Sequence, residues 1–364
     1  MTIYNILNPG SIGGTAQFII QSYRGANLID ESRIYGILGF GGEIGTMTST
    51  TVAVDSSSTT SAGEISQYIF SFRTDVFLPQ NIYLKLQLPR DTFDVSLYPS
   101  CSSFPINGQL IAGFFSCQYN PLLQSIEVRG IGQSINANSD VGVLVSFKNP
   151  KYSFTTGNFE MYVMKQGTTL AFTRKLAIKG VPITAGSISQ ISVYPLDSLY
   201  LPSKAKLMWY ALDFKLKNPL NTGAVISIQL PASIILSTLP PVEGTDIVFY
   251  IVKGLNDISD VNPLSIAKVV AGGATYLRIS NFQSMTQPNL ISVAMLIFTP
   301  ASSGQSSPFQ IVSYTDSSLT YEIDKDISAA RLTVLEYGSP PSSSLLSDIF
   351  NHEFSCIRRW IKCL

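Results

Sequence analysis

An alternating strand pattern occurs twice in this chain, 142 residues apart and without a gap. Phe70 and Phe72 of SQYIFSFRTD correspond to Leu212 and Phe214. Leu84, Leu86 and the pair Leu88-Pro89 of NIYLKLQLP correspond to Ile226, Ile228 and Leu230-Pro231. A period of two puts every second side chain on one face of a strand. A shift that preserves each inward position therefore predicts the same strand pair folded twice, with Leu88 and Leu230 in equivalent buried places.

The later parts repeat as well. GVLVSFKNP (142–150) and VAMLIFTP (293–300) each end in a proline followed nine residues later by a phenylalanine, Phe159 and Phe309. The opening residues fit the same frame, since Pro9 closes MTIYNILNP and Phe18 begins FIIQSY. The expected organisation is the closing half of a module over residues 1–42, a complete module over 43–184, a second over 185–338, and a linker and tail over 339–364. Each full unit holds many short strands separated by Gly, Pro, Ser and Asn. That pattern predicts an all-β chain of tandem antiparallel, Ig-like sandwiches. The repeat is far too long for one coil of a β-helix.

Hydrophobic residues make up 45% of the chain, enough for packed cores, while charged residues make up 13% and cancel to a net charge of zero. A phosphate-binding surface needs an excess of Lys and Arg, so nucleic acid is not an expected partner. The most apolar run, ISVAMLIF (291–298), has the length of a strand and not of a membrane span. MTIYNILNPG lacks the basic and apolar regions of a secretory signal, so an extracellular location would put the true start upstream.

Several pieces together resemble the tandem Ig-like modules of large protist surface proteins of the ciliate type. They are the I-S-V-x-P strand Ile191–Pro195, the strand Tyr68–Phe72, the stretch PQNIYLKLQLP of Pro79–Pro89, and a Cys pair, Cys101 and Cys117. The second module departs from that pattern. It has no Cys pair and carries the insertion VEGTDIVFYIVKGLNDISDVNP (242–263). The resemblance implies an extracellular structural or adhesive role and brings no catalytic residues with it.

Cys101 and Cys117 lie in a strand–turn–strand stretch and, in an oxidising compartment, are expected to close a hairpin-like loop; two separate buried thiols are the alternative. His352, the lone histidine, falls in the tail, so neither module can assemble a Ser-His-Asp or Cys-His site. Glycine runs such as GFGGEIG (39–45) lack phosphate-loop spacing and read as turns. Paired carboxylates remain as a glycosidase-type option: Asp30/Glu31, Asp257/Asp260 and Asp324/Asp326, all in sequence that reads as loop. Asp257, Asp260 and Asn262 are candidate calcium ligands outside any EF-hand spacing. No cofactor is expected.

The tail LLSDIFNHEFSCIRRWIKCL (345–364) has apolar residues at helical spacing, and predicts an amphipathic helix. Cys356 and Cys363 would face one way on it, about 10 Å apart along the axis, and could cross-link to another chain but not to each other. His352 with these two cysteines forms a three-ligand zinc idea. A tail foreign to the native protein is the other reading.

At the other end, Ile3, Ile6, Phe18, Ile20, Tyr23, Ile34 and Ile37 mark three strand-like segments that would expose an apolar face and an unpaired edge. They are the expected assembly segment. The sequence thus predicts an extracellular, non-enzymatic structural protein, a subunit of a surface coat or filament whose partner is a second copy of itself. A glycan-binding adhesin and a carboxylate glycosidase are the alternatives.

Overall fold

The computed structural model describes residues 18–24, 27–34, 45–90, 93–167, 171–195, 207–236, 252–253, 264–284 and 290–334. Every regular element among them is a β-strand. The described residues group into two compact units that divide near Ser187, with Tyr314–Asp324 falling in the first.

The chain's first elements, β1 (Phe18–Arg24) and β2 (Asn27–Ile34), form an antiparallel sheet of two strands, with Phe18 opposite Ile34 and Ile20 opposite Ser32. The first sandwich contains β3 (Gly45–Val54), β4 (Ile65–Thr74), β5 (Ile82–Gln87), β6 (Cys101–Ser103), β7 (Gly113–Asn120), β8 (Ser125–Ile131) and β9 (Asp140–Lys148). After the short β10 (Phe154–Thr155) come β11 (Phe159–Lys165) and β12 (Ala171–Ile178), then β13 (Pro182–Ile183), which pairs with β10.

One layer runs β6-β9-β4-β3 and the other β12-β11-β5-β8-β7. Strand β3 serves both. Its first two residues pair in parallel with β12, Gly45 opposite Thr173, and from Met47 on it pairs antiparallel with β4, with a register shift between Thr48 and Thr51. The alternation seen in the sequence decides what lies between the layers. Tyr68, Phe70 and Phe72 of β4, Ile82, Leu84 and Leu86 of β5, and Val141, Val143 and Val145 of β9 are all buried in one core. Phe70 meets Phe159 edge-on across the layers with ring centroids 5.8 Å apart, and Tyr68 stacks on Phe147 at 4.1 Å.

Six strands, β3, β4, β5, β9, β11 and β12, hold the places of the first, second, third, fifth, sixth and seventh strands of an immunoglobulin domain, down to the contact between first and last. The three between β5 and β9 run the other way. An immunoglobulin variable domain adds two strands beside the third before crossing to the opposite layer. Here the chain crosses at once to β6, then returns to the far edge at β7 and works inward to β8.

After β14 (Gly186–Ser187), at the end of the first unit, the chain forms β15 (Ser189–Pro195), β16 (Leu207–Lys215), β17 (Val225–Gln229), β18 (Ile235–Leu236), β19 (Val252–Lys253), β20 (Ser265–Ala271), β21 (Ala274–Ser280) and β22 (Leu290–Phe298). It continues through β23 (Gly304–Gln305), β24 (Gln310–Tyr314), β25 (Glu322–Asp326) and β26 (Thr333–Val334). The layers formed by these strands are β15-β16-β22-β18, with β19 also on β22, and β14-β25-β24-β17-β21-β20. The inverted order of the middle strands is the same, with β18, β20 and β21 in the places of β6, β7 and β8. Leu88 and Leu230 are each 3% exposed. Each donates its backbone N–H across to the neighbouring strand's segment, Leu88 to Gln124 O at 3.0 Å and Leu230 to Thr275 O at 2.9 Å.

Candidate functional site

The first sandwich carries a disulfide between Cys101 and Cys117, with Cα atoms 6.0 Å apart. The sequence suggested two arms of one hairpin, and the structure corrects this. Cys101 lies on β6, which pairs with β9, while Cys117 lies on β7, which pairs with β8 in the opposite layer. The bond therefore ties the free edges of the two layers together. The reason is the early crossing of the chain after β5, which no local pattern announces.

Two of the three carboxylate pairs fall on strands where loops were expected. Asp30 and Glu31 sit on β2, exposed, each engaged by a residue of β1: Ser22 Oγ donates to Asp30 at 3.3 Å and Gln21 Nε2 to Glu31 at 2.6 Å. Asp324 and Asp326 are on β25. Asp324 is fully buried, and Asp326 caps a turn by accepting from the N–H groups of Ser328 and Ala329. Asp257, Asp260 and Asn262 lie outside the described residues, as do Ile3, Ile6, Ile37, His352, Cys356 and Cys363 with the whole tail. Among the described residues no group of three His, Cys, Asp or Glu side chains is placed to hold a metal ion. Of the N-terminal set, Phe18 and Ile20 lie on β1 and Ile34 on β2, and Tyr23 is exposed.

What the sequence did not single out is the outer face of the layer β11-β5-β8-β7. Register places Tyr162, Lys85, Glu127 and Gln118 side by side across the four strands. Lys85 Nζ stands 5.9 Å from the Tyr162 ring centre, and Arg129 Cζ 5.6 Å from that of Tyr83. Arg129 donates through Nε and Nη2 to one oxygen of Glu127, at 3.1 and 2.6 Å. Burial, with the Glu127 carboxylate close by, raises the Tyr83 hydroxyl above the usual phenol range. Tyr162 is pushed up to about 12, by burial first and then by its hydrogen bond to Glu160.

This face ends in an open groove of about 560 Å³, lined by Gln118, Glu127 and Arg129 on one side and by Leu97, Tyr98 and Tyr119 with the turn Asn120–Leu122 on the other. Backbone bonds hold its walls. The Tyr119 N–H donates to Leu97 O at 2.8 Å, laying the segment before Cys101 along β7. Asn120 Oδ1 accepts from the N–H groups of Leu122 and Leu123, both at 3.1 Å, and fixes the turn. Tyr98 is 76% exposed at the rim. A signal for this site did exist in the sequence: Tyr98 lies three residues before Cys101 and Tyr119 two after Cys117, so linking the cysteines brings the tyrosines together. The groove presents one carboxylate, one guanidinium, two amides and two phenols. That set can bind and orient a ligand, and it lacks a nucleophile paired with a base.

No protein-family model matches the chain, and no curated protein matches it. Solved structures with partial likeness include the C-terminal domain of the Streptococcus pyogenes antigen I/II-family protein AspA, at 9% identity and a TM-score of 0.30, covering 79% of this chain and 99% of that one. Another is the S. aureus collagen adhesin, at 13% identity and a TM-score of 0.26, covering 80% and 94%. A third is the type II cohesin dyad of the Acetivibrio cellulolyticus scaffoldin ScaA, at 10% identity and a TM-score of 0.24, covering 81% and 99%. At these values the fold of this chain rests on its own strand order. No helix among the described residues is long and apolar enough to cross a membrane.

Proposed function

We propose that this chain is an extracellular structural or adhesive protein of tandem β-sandwiches, which assembles with copies of itself through the β1–β2 hairpin into a coat or filament. The observation that carries the assembly is the hairpin's edge, which no other strand covers among the described residues. Its Phe18 corresponds in sequence to Phe159 of β11, and Phe18 faces Ile34 as Phe159 faces Ile178. In the first sandwich the other edge of β11 is covered by β5 over Glu160–Lys165. Among the described residues the β1–β2 sheet contains no third strand, and Tyr23, Leu28 and Ile29 are exposed on it. A two-stranded sheet with apolar side chains in water is marginal by itself, and strand addition from another molecule relieves it. A head-to-tail contact of this kind gives a fibre unless it closes a ring. The Cys101–Cys117 disulfide supports an oxidising, extracellular setting.

The test is deletion of residues 1–42, followed by light scattering and negative-stain microscopy beside the full chain. Polymers from the full chain and a folded, monodisperse product from the deletion are expected. Polymers unchanged by the deletion would remove the assembly role.

A further inference from the structure

Independently of assembly, the geometry points to the groove between Tyr98 and Arg129 as a binding site for neutral oligosaccharides. Three observations converge. The planar polar groups are held before any ligand arrives: Glu127 and Arg129 lock each other through two hydrogen bonds, and Arg129 lies against the Tyr83 ring. Gln118, opposite Glu127 across the strand pair, adds an amide that can donate to one hydroxyl and accept from its neighbour, and Asn120, whose Oδ1 is held by the turn, adds the N–H donors of its Nδ2. Tyr98 offers a broad aromatic face at the rim, which suits the C–H face of a pyranose ring.

Charge selects within the sugars. Glu127 and Arg129 are the two charged residues among those lining the groove, and they neutralise one another, so an anionic or cationic ligand gains no net attraction there. Shape selects against a peptide strand. An extended peptide would bind by adding to the edge of β7, and the Tyr119 N–H on that edge already bonds Leu97 O.

Affinity electrophoresis of the full chain tests this, in gels containing neutral polysaccharides (a glucan, a mannan, a galactan) or anionic ones. Retardation by at least one neutral polysaccharide is expected. Y98A and Q118A should each weaken it by about tenfold, the loss of one central contact, while Y23A, an exposed tyrosine outside the groove, leaves it unchanged. Tyr98 is largely exposed, so Y98A should keep the wild-type unfolding midpoint, which separates lost contact from lost fold. Three results would overturn the proposal: no retardation by any neutral polysaccharide, retardation by anionic ones alone, or retardation that survives both groove variants.

Discussion

The buried hydroxyl of Tyr68 donates a hydrogen bond to Oδ1 of Asn149, a residue 81 positions later in the chain. Asn149 spends its amide on the loop before β4, with Nδ2 near Thr59 O at 3.1 Å, Ser61 O at 2.8 Å and Ser66 Oγ at 3.0 Å, and its own N–H donates to Glu64 O at 2.7 Å. One tyrosine and one asparagine thereby pin the loop 59–66 to the end of β9. The second sandwich has Tyr210 in the equivalent place, equally buried, and there the hydroxyl finds no partner among the described residues.

The two tyrosines therefore respond differently to the same substitution. Tyr68→Phe strands Asn149 Oδ1 in the core and should lower the first unit's stability by about 1–3 kcal/mol. Tyr210→Phe removes a polar atom that nothing satisfies and should be neutral or slightly stabilising. Urea unfolding followed separately for each unit decides this. An equal loss in both variants would contradict the stated role of Asn149.

The same burial makes a prediction for alkali. The folded-state pKa values of Tyr68 and Tyr210 are both raised, that of Tyr210 to about 12, with burial as the cause. An unfolded tyrosine ionises near pH 10. Ionisation then favours the unfolded chain, so stability is intact below about pH 10 and falls as pH rises toward 12 and beyond. Replacing both tyrosines with phenylalanine should flatten that fall, as read by denaturant midpoints across the range.

Deleting the disulfide with Cys101→Ala and Cys117→Ala should cost the first unit about 2–4 kcal/mol, since the bond closes a loop of about 16 residues in the unfolded chain. Dithiothreitol should lower the unfolding midpoint of the wild type by a similar amount and leave the double variant unaffected. A reductant effect on the double variant would point to another thiol.

Gly130 and Gly108 both have positive φ, +89° and +78°, but only Gly130 is crowded. A Cβ there would lie 1.9 Å from the carbonyl oxygen of Phe114, in the irregular pairing between Gly113 and Ser116 that leaves Phe114 97% exposed. Gly108→Ala should cost about 1–2 kcal/mol for the backbone alone. Gly130→Ala should cost clearly more, and thermal unfolding of the two variants side by side would show it.

Leu88→Ala and Leu230→Ala should each lose about 2–5 kcal/mol, the first in one unit and the second in the other. The two leucines also mark how much of the fold could be read beforehand. Their burial followed from alternation, because a half-buried strand has only one way to face. Partner choice did not follow, because β5 beside β8 looks the same in the sequence as β5 beside β6. The inverted middle strands, and hence a disulfide between layers, stayed hidden for that reason. Asp324 was misread as a loop residue: EIDKD has too few apolar positions to show a period. The groove escaped because Tyr98 and Arg129 belong to segments 31 residues apart that only the cysteine bond and the β7–β8 pairing bring close.

The pairing of Gly45 with Thr173, reinforced by the Thr173 hydroxyl on Gly45 O at 2.7 Å, has a mechanical consequence. Strands β3 and β12 run in the same direction, so the chain enters this sandwich at one end and leaves it at the other. A pull along the chain slides these two strands past each other and strains their hydrogen bonds together, where an antiparallel pair would unzip one bond at a time. Pulled from its two ends, the first sandwich should therefore yield by shear across this pair and not by unzipping.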